Sequence, residues 1–290
     1  VNQCRAWLQN RRAPSLWLPY RGIRKLFHKD AVIAESASPL FRIAPYIVFG
    51  TMVVAAAVIP SMGTRLPLTM AADAIALVGL LATARVFMSL AAMDVGTAFG
   101  TLGARREMMV GFLAEPALLM IIFVASLISA TTALPAITEH LTTQAPALYP
   151  SLAFTAIAFT MVLLAENARI PIDNPATHLE LTMIHEAMLL EYSARHLALM
   201  EWAAALKLFN YACIGFALFI PWGVSTGADS PAALLASIPL LAVKLGVAGA
   251  GLALIETVSA KLRVFRAPEF LTAAFLLAVL GLLVHLLLRA

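Results

Sequence analysis

Between residues 166 and 202 the chain reads ENARIPIDNPATHLELTMIHEAMLLEYSARHLALMEW. Six carboxylates, Glu166, Asp173, Glu180, Glu186, Glu191 and Glu201, are thereby set between two strongly apolar segments. Ionisable side chains at the edge of a lipid-facing bundle are costly. They face a protein interior or a wet cavity, where they serve ion or proton pathways. Arg85, Glu115, Lys207 and Lys244 fall inside apolar runs as well. Facing lipid, Lys207 and Lys244 would each cost roughly 2.5–3.5 kcal/mol, so four such residues point to a hydrated polar axis through the bundle or to a structural ion-pair network. Glu256, followed by Lys261, Arg263 and Arg266, marks the end of a further run and extends or anchors that axis. The chemistry on offer is proton movement. Desolvation raises a carboxyl pKa and a nearby Lys or Arg lowers it, so shifting that balance moves a proton. His185, next to Glu186, is a candidate for the same traffic.

Other chemistries find little support. The histidines form no HExxH or paired ligand spacing, and no metal site is expected. Cys4 and Cys213 belong to no CxxC, whereas an ordinary iron–sulfur cluster needs four thiolates. Both read as small packing residues, and no cofactor is expected in this chain. No P-loop, GxSxG or dinucleotide fingerprint appears.

These residues must be positioned by membrane-spanning helices. Hydrophobic residues make up 61% of the chain and charged residues 12%, against about 25% in soluble domains. Mean hydropathy is +0.89. Seven runs approach the roughly 20 apolar residues that a spanning helix needs: 43–61, 72–93, 108–131, 151–165, 197–222, 232–255 and 268–288. No strand-like alternation competes with them, so the expected fold is all-α, one polytopic helical bundle over residues 1–290. Lys and Arg concentrate in the N-terminal block and in alternate loops, which places those loops and the acidic loop 166–196 on the cytoplasmic side. The net charge of +4 follows from this orientation and from lipid headgroup contact, without nucleic acid. Residues 18–29, LPYRGIRKLFHK, alternate basic and apolar side chains and suit an interfacial amphipathic helix. Arg24, Lys25, Lys29, Arg105, Arg106, Arg263 and Arg266 are candidates for docking a soluble partner. In the acidic loop, Pro171 and Pro175 forbid a continuous helix. A new helix is expected from about Thr177 through EAMLLEY, with Glu180 and Glu191 three turns apart on one face.

Four blocks, in order along the chain, carry a resemblance. They are NRRAPSLWLPYRGIRKLFHKD with SPLFRIAPYIVF (10–30 and 38–49), MDVGTAFGTLGARREMMVGFLAEPALL (93–119), the acidic loop, and ALIETVSAKLRVFRAPEFL (253–271). Together they resemble the subunit shared by respiratory complex I, where it forms the quinone chamber, and the energy-converting [NiFe] hydrogenases. The core of Glu166, Arg169, Pro171 and Asp173, with the later Glu191-Tyr192-Ser193, is common to both branches. The spacing between Glu180-Leu181 and EYS, with GTAFGxxGAxRE and FRxPE, is similar to the formate hydrogenlyase and hydrogenase-4 branch. Arg105 and Ala194 depart from it, where Ser and Gly are common.

The resemblance implies an inner-membrane subunit of a prokaryote, typically with eight spanning helices, so a further helix is expected upstream of Val1. It implies a membrane anchor for a soluble arm that couples hydrogen evolution to proton or sodium movement. Expected partners are the hydrogenase large and small subunits, an iron–sulfur subunit and antiporter-like membrane subunits, together with lipid. The [NiFe] centre and the iron–sulfur clusters would lie in those partners. Glu166, Arg169, Asp173, Glu180, Glu186 and Glu191 would line the junction, and Glu115, Lys207, Lys244 and Glu256 the polar axis. Two alternatives remain, a quinone-chamber subunit of a complex I-type enzyme and a passive anchor.

Overall fold

The computed structural model describes residues 1–64, 68, 73–143, 149–173, 184–225, 231–260, 262 and 266–289, with the side chains of 231–234 and 289 left aside. Among the described residues the chain runs α1 (Asn2–Leu8), α2 (Leu18–Phe27), α3 (Pro39–Val58), α4 (Ala74–Asp94), α5 (Ala98–Ser129) and α6 (Leu134–Thr143). It continues with α7 (Pro150–Glu166), α8 (His185–Leu189), α9 (Ala194–Phe219), α10 (Pro231–Val258) and α11 (Ala267–Arg289). It is an all-helical membrane protein. All seven expected spans are helices, and six are long and apolar enough to cross a bilayer. The seventh, α7, has 17 residues but sits inside the bundle against α11, α5 and α9.

Apolar segments adopt helices because hydrocarbon offers no partner to backbone N–H and C=O groups. Local residues set the boundaries. Asp73 caps α4 by accepting from the Ile75 amide at 2.7 Å, which holds its carboxyl below the usual range. Gly96, at φ +76°, ends the turn after α4 in the left-handed conformation that glycine tolerates. Thr97 then starts α5 by accepting from the Gly100 amide. The tight MDVGT corner is fastened to α3, because the Ser38 amide donates to Asp94 at 2.9 Å.

α5 is the central element, packed against α4, α7, α8 and α11. α3 packs on α4 and α9, and α2 lies against α9 without a buried residue of its own. α10 rests on α1 and touches α9.

Two short helices were not expected from sequence. α6 buries Leu134, Ile137, Thr138 and Leu141, a helical spacing present in the sequence but brief. α1 precedes α2 and buries nothing. The loop helix also differs from expectation. Positions 174–183, with Thr177 and Glu180, lie outside the described residues. Beyond them α8 stops at Leu189, so Glu191 is not on it and the expected shared face does not extend that far. The chain turns instead because Tyr192 stacks on Phe41, with ring centroids 4.1 Å apart, and donates to its carbonyl at 3.2 Å. Ser193 donates to the Val32 carbonyl at 2.6 Å and accepts from the Val32 amide.

Candidate functional site

Arg85, on α4, is the hub of a buried charge cluster. It pairs with Glu107 at 3.6 Å, with Glu115, and with Glu166 at the end of α7. Lys207 of α9 reaches the other oxygen of Glu166 at 3.0 Å. Tyr211, one turn further along α9, is fully buried beside Glu166. Four helices thus each present a charge to one point. The Glu166 side chain is 1% exposed and that of Arg85 5%, while Glu115 is 35% exposed. Burial this deep is tolerable only because the charges satisfy one another. Three carboxylates against two cations leave a formal excess of one negative charge, which one bound proton cancels.

Helical spacing assembles the cluster. Glu107, Gly111 and Glu115 stand four residues apart on one stripe of α5, facing α4. On α9, Lys207 and Tyr211 share the same spacing. Arg85 was singled out from the sequence as an ionisable residue in an apolar run, without a partner, and Glu107 was not named. The signal for Glu107 was available, since it shares a helical stripe with Glu115.

Beside the cluster lies a cavity of about 510 Å³. Glu166, Arg169, Asp173, His185, Glu186, Glu201 and Lys207 line it, with Asn2 and Asn167. A smaller void of about 30 Å³ lies deeper, walled by Arg85, His185 and Lys207 among methionines and alanines. His185 and Lys207 border both spaces. The smaller one has the size and polar rim to hold a water.

The loop residues hold this wall in place. Asp173, 3% exposed, accepts from the backbone amides of Ile184 and His185 at 3.2 and 3.3 Å, so it closes the base of the loop onto α8. Arg169 pairs with Glu256 of α10 at 3.1 Å, and Arg5 of α1 reaches the same carboxylate at 3.5 Å. Burial lowers the pKa of His185 below its ordinary value, and Lys207 adds to that effect. The carboxylates Glu107, Glu186 and Asp173 oppose it.

The structure therefore brings together Glu115, Glu166, His185 and Lys207 around the cluster and its voids. Arg169, Asp173, Glu186, Glu201 and Glu256 stand around the larger cavity or pair with its walls. Lys244 is elsewhere. Its ammonium donates to the Ile220 carbonyl at 2.7 Å and to that of Trp222, at the opposite end of α9. Glu191 is not in the cavity lining, and among the described residues it joins no ion pair. Arg24, Lys25 and Lys29 are exposed at the end of α2, as are Arg105 on α5 and Arg266 before α11, while Arg106 is partly buried. Glu180 and Arg263 lie outside the described residues.

The chain is thus a polytopic membrane helical bundle whose internal charge cluster adjoins a cavity lined by charged side chains. The family model for NADH dehydrogenase matches residues 2–287, and the chain belongs to that family. It is 33% identical over 276 residues to formate hydrogenlyase subunit 4 of Escherichia coli (strain K12), covering 93% of this chain and 87% of that one. It is 36% identical over 223 residues to hydrogenase-4 component C of the same organism, covering 76% and 69%. Among solved structures, the membrane-bound sulfane sulfur reductase, an archaeal respiratory membrane complex, contains a chain of the same fold. Its TM-score is 0.81 at 18% identity, over 97% of this chain and 90% of that one.

Proposed function

We propose that this chain is the membrane-anchoring and ion-coupling subunit of a membrane-bound [NiFe] hydrogenase complex. In this reading it links hydrogen evolution in a soluble arm to proton or sodium movement. The observation that carries the proposal is the Arg85 cluster and its continuity with the 510 Å³ cavity through Glu166 and Lys207. The likeness to two hydrogenase subunits supports the complex. Its partners would be the hydrogenase large and small subunits, an iron–sulfur subunit and antiporter-like membrane subunits. The metal centres would reside in those partners.

This chain's own residues would hold and release a proton. With all five groups ionised the cluster carries one uncompensated negative charge, and a proton on any carboxylate removes it. A small displacement of Arg85 or Lys207 changes which carboxylate is uncompensated, and the proton follows. His185, between the two voids, would pass protons between cavity and cluster. With the loop side facing the cytoplasm, the exposed cations at Arg24, Lys25, Lys29, Arg105 and Arg266 would meet the soluble arm.

The likeness to two hydrogenase subunits favours this reading over the quinone-chamber one. The test is Glu166→Gln in the intact complex, reconstituted into sealed vesicles. Assembly and hydrogen evolution from a reduced viologen dye should persist while the ion gradient collapses. A gradient equal to that of the parent would leave only a passive anchor.

A further inference from the structure

Of the three buried glycines of α5, Gly103 and Gly111 stand eight residues apart, and their surroundings differ. A Cβ at Gly103 would meet the Ile184 carbonyl and the Ala187 Cβ, both at 2.9 Å, so this glycine admits the backbone of α8. The three atoms nearest a Cβ at Gly111 would all belong to the Arg85 side chain, with its Cδ at 2.7 Å and its Cζ at 3.0 Å. Here the nearest obstruction is a side chain and not a backbone. It leaves a notch across which the guanidinium lies, between Glu107 one turn before and Glu115 one turn after.

We infer that Gly111 is a positioning residue for charge coupling: its missing side chain allows the Arg85 guanidinium to bridge Glu107 and Glu115 while still reaching Glu166. This rests on the coupling role proposed above. Arginine suits the task because its planar fork presents several donors at fixed angles, whereas a lysine is a single point charge. A methyl group at position 111 would push the guanidinium aside. The obstructed atoms are the far part of a flexible side chain, so the bundle can absorb the change. Alanine also favours a helix over glycine. The effect should appear in the charge cluster and not in assembly.

The experiment compares Gly111→Ala, Arg85→Lys and the double variant in the whole purified complex, in sealed vesicles. Each should contain its full set of subunits and evolve hydrogen at the parent rate. Each single variant should lower the ion gradient per hydrogen by roughly tenfold. The double variant should fall no further, because both changes remove the same bridge. A Gly111→Ala complex with the parent gradient overturns the inference, and so does a double variant whose loss multiplies the two single losses. Should Arg85→Lys alone keep the gradient, the coupling reading fails, and infrared spectroscopy then decides the positioning role. A shift of the protonated-carboxyl band from its parent position, the same in both single variants, upholds it. An unchanged spectrum for Gly111→Ala overturns it.

Discussion

Lys207 and Lys244 make an instructive pair. Each lies near the middle of a long apolar helix, and by sequence depth each is equally a candidate for a polar axis. Lys207 turns into the bundle and pairs with Glu166, in the cluster where α4, α5, α7 and α9 meet. Lys244 turns toward the other end of α9 and satisfies carbonyls that the helix leaves unpaired as it stops. A cation there also complements the negative end of the helix. The cost of an intramembrane charge says that it must find a partner. It does not say whether that partner is a carboxylate that can exchange protons or a carbonyl that cannot.

The comparison can be broken in graded ways. Removing Arg85 should have the largest effect on stability. Arg85→Gln leaves buried carboxylates without their shared partner, a loss of about 3–5 kcal/mol, and should lower the thermal transition of the detergent-solubilised complex most. Lys244→Met removes a cap from a partly exposed group and should cost about 1 kcal/mol, with a correspondingly small change in melting temperature. Equal losses would mean that the two regions do not differ as described.

His185 sharpens the cluster side through pH. Burial holds its folded pKa below 6.5, so the unfolded chain binds the proton more readily. Its contribution to stability is therefore present above pH 6.5 and is lost as pH falls below it. His185→Asn should flatten that acid limb in a series of thermal melts, whereas Lys244→Met should leave its slope unchanged.

Smaller effects are expected at the end of the loop. Tyr192→Phe removes the donor to the Phe41 carbonyl but keeps the stacked rings, and should cost about 1 kcal/mol. Ala194 adopts φ +47°, in the left-handed region. Ala194→Gly would relieve about 1 kcal/mol of strain and give up about 0.8 kcal/mol of methyl burial. Its melting temperature should stay close to the parent's.

Much of the architecture was legible because hydrocarbon allows few alternatives: seven apolar runs became seven helices, and LPYRGIRKLF became the helix α2. α6 was not foreseen, since a ten-residue helix with three apolar positions hardly differs from a loop. The acidic loop was legible as a site but not in its internal roles. Asp173 and Tyr192 belong to its motifs as fasteners, and what they fasten lies on α8 and α3. Arg85 and Glu107 are partners across two helices, and no spacing within one segment reveals a contact between two. Ala194, where the resemblance led to an expectation of Gly, occupies a left-handed conformation that glycine adopts freely.

The most direct test measures hydrogen evolution and the ion gradient together, in sealed vesicles, for complexes carrying Lys207→Met and Lys244→Met. With a coupling cluster centred on Arg85 and Glu166, both complexes evolve hydrogen, the Lys207 variant loses the gradient and the Lys244 variant keeps it. Gradients kept by both, or lost equally by both, would contradict it.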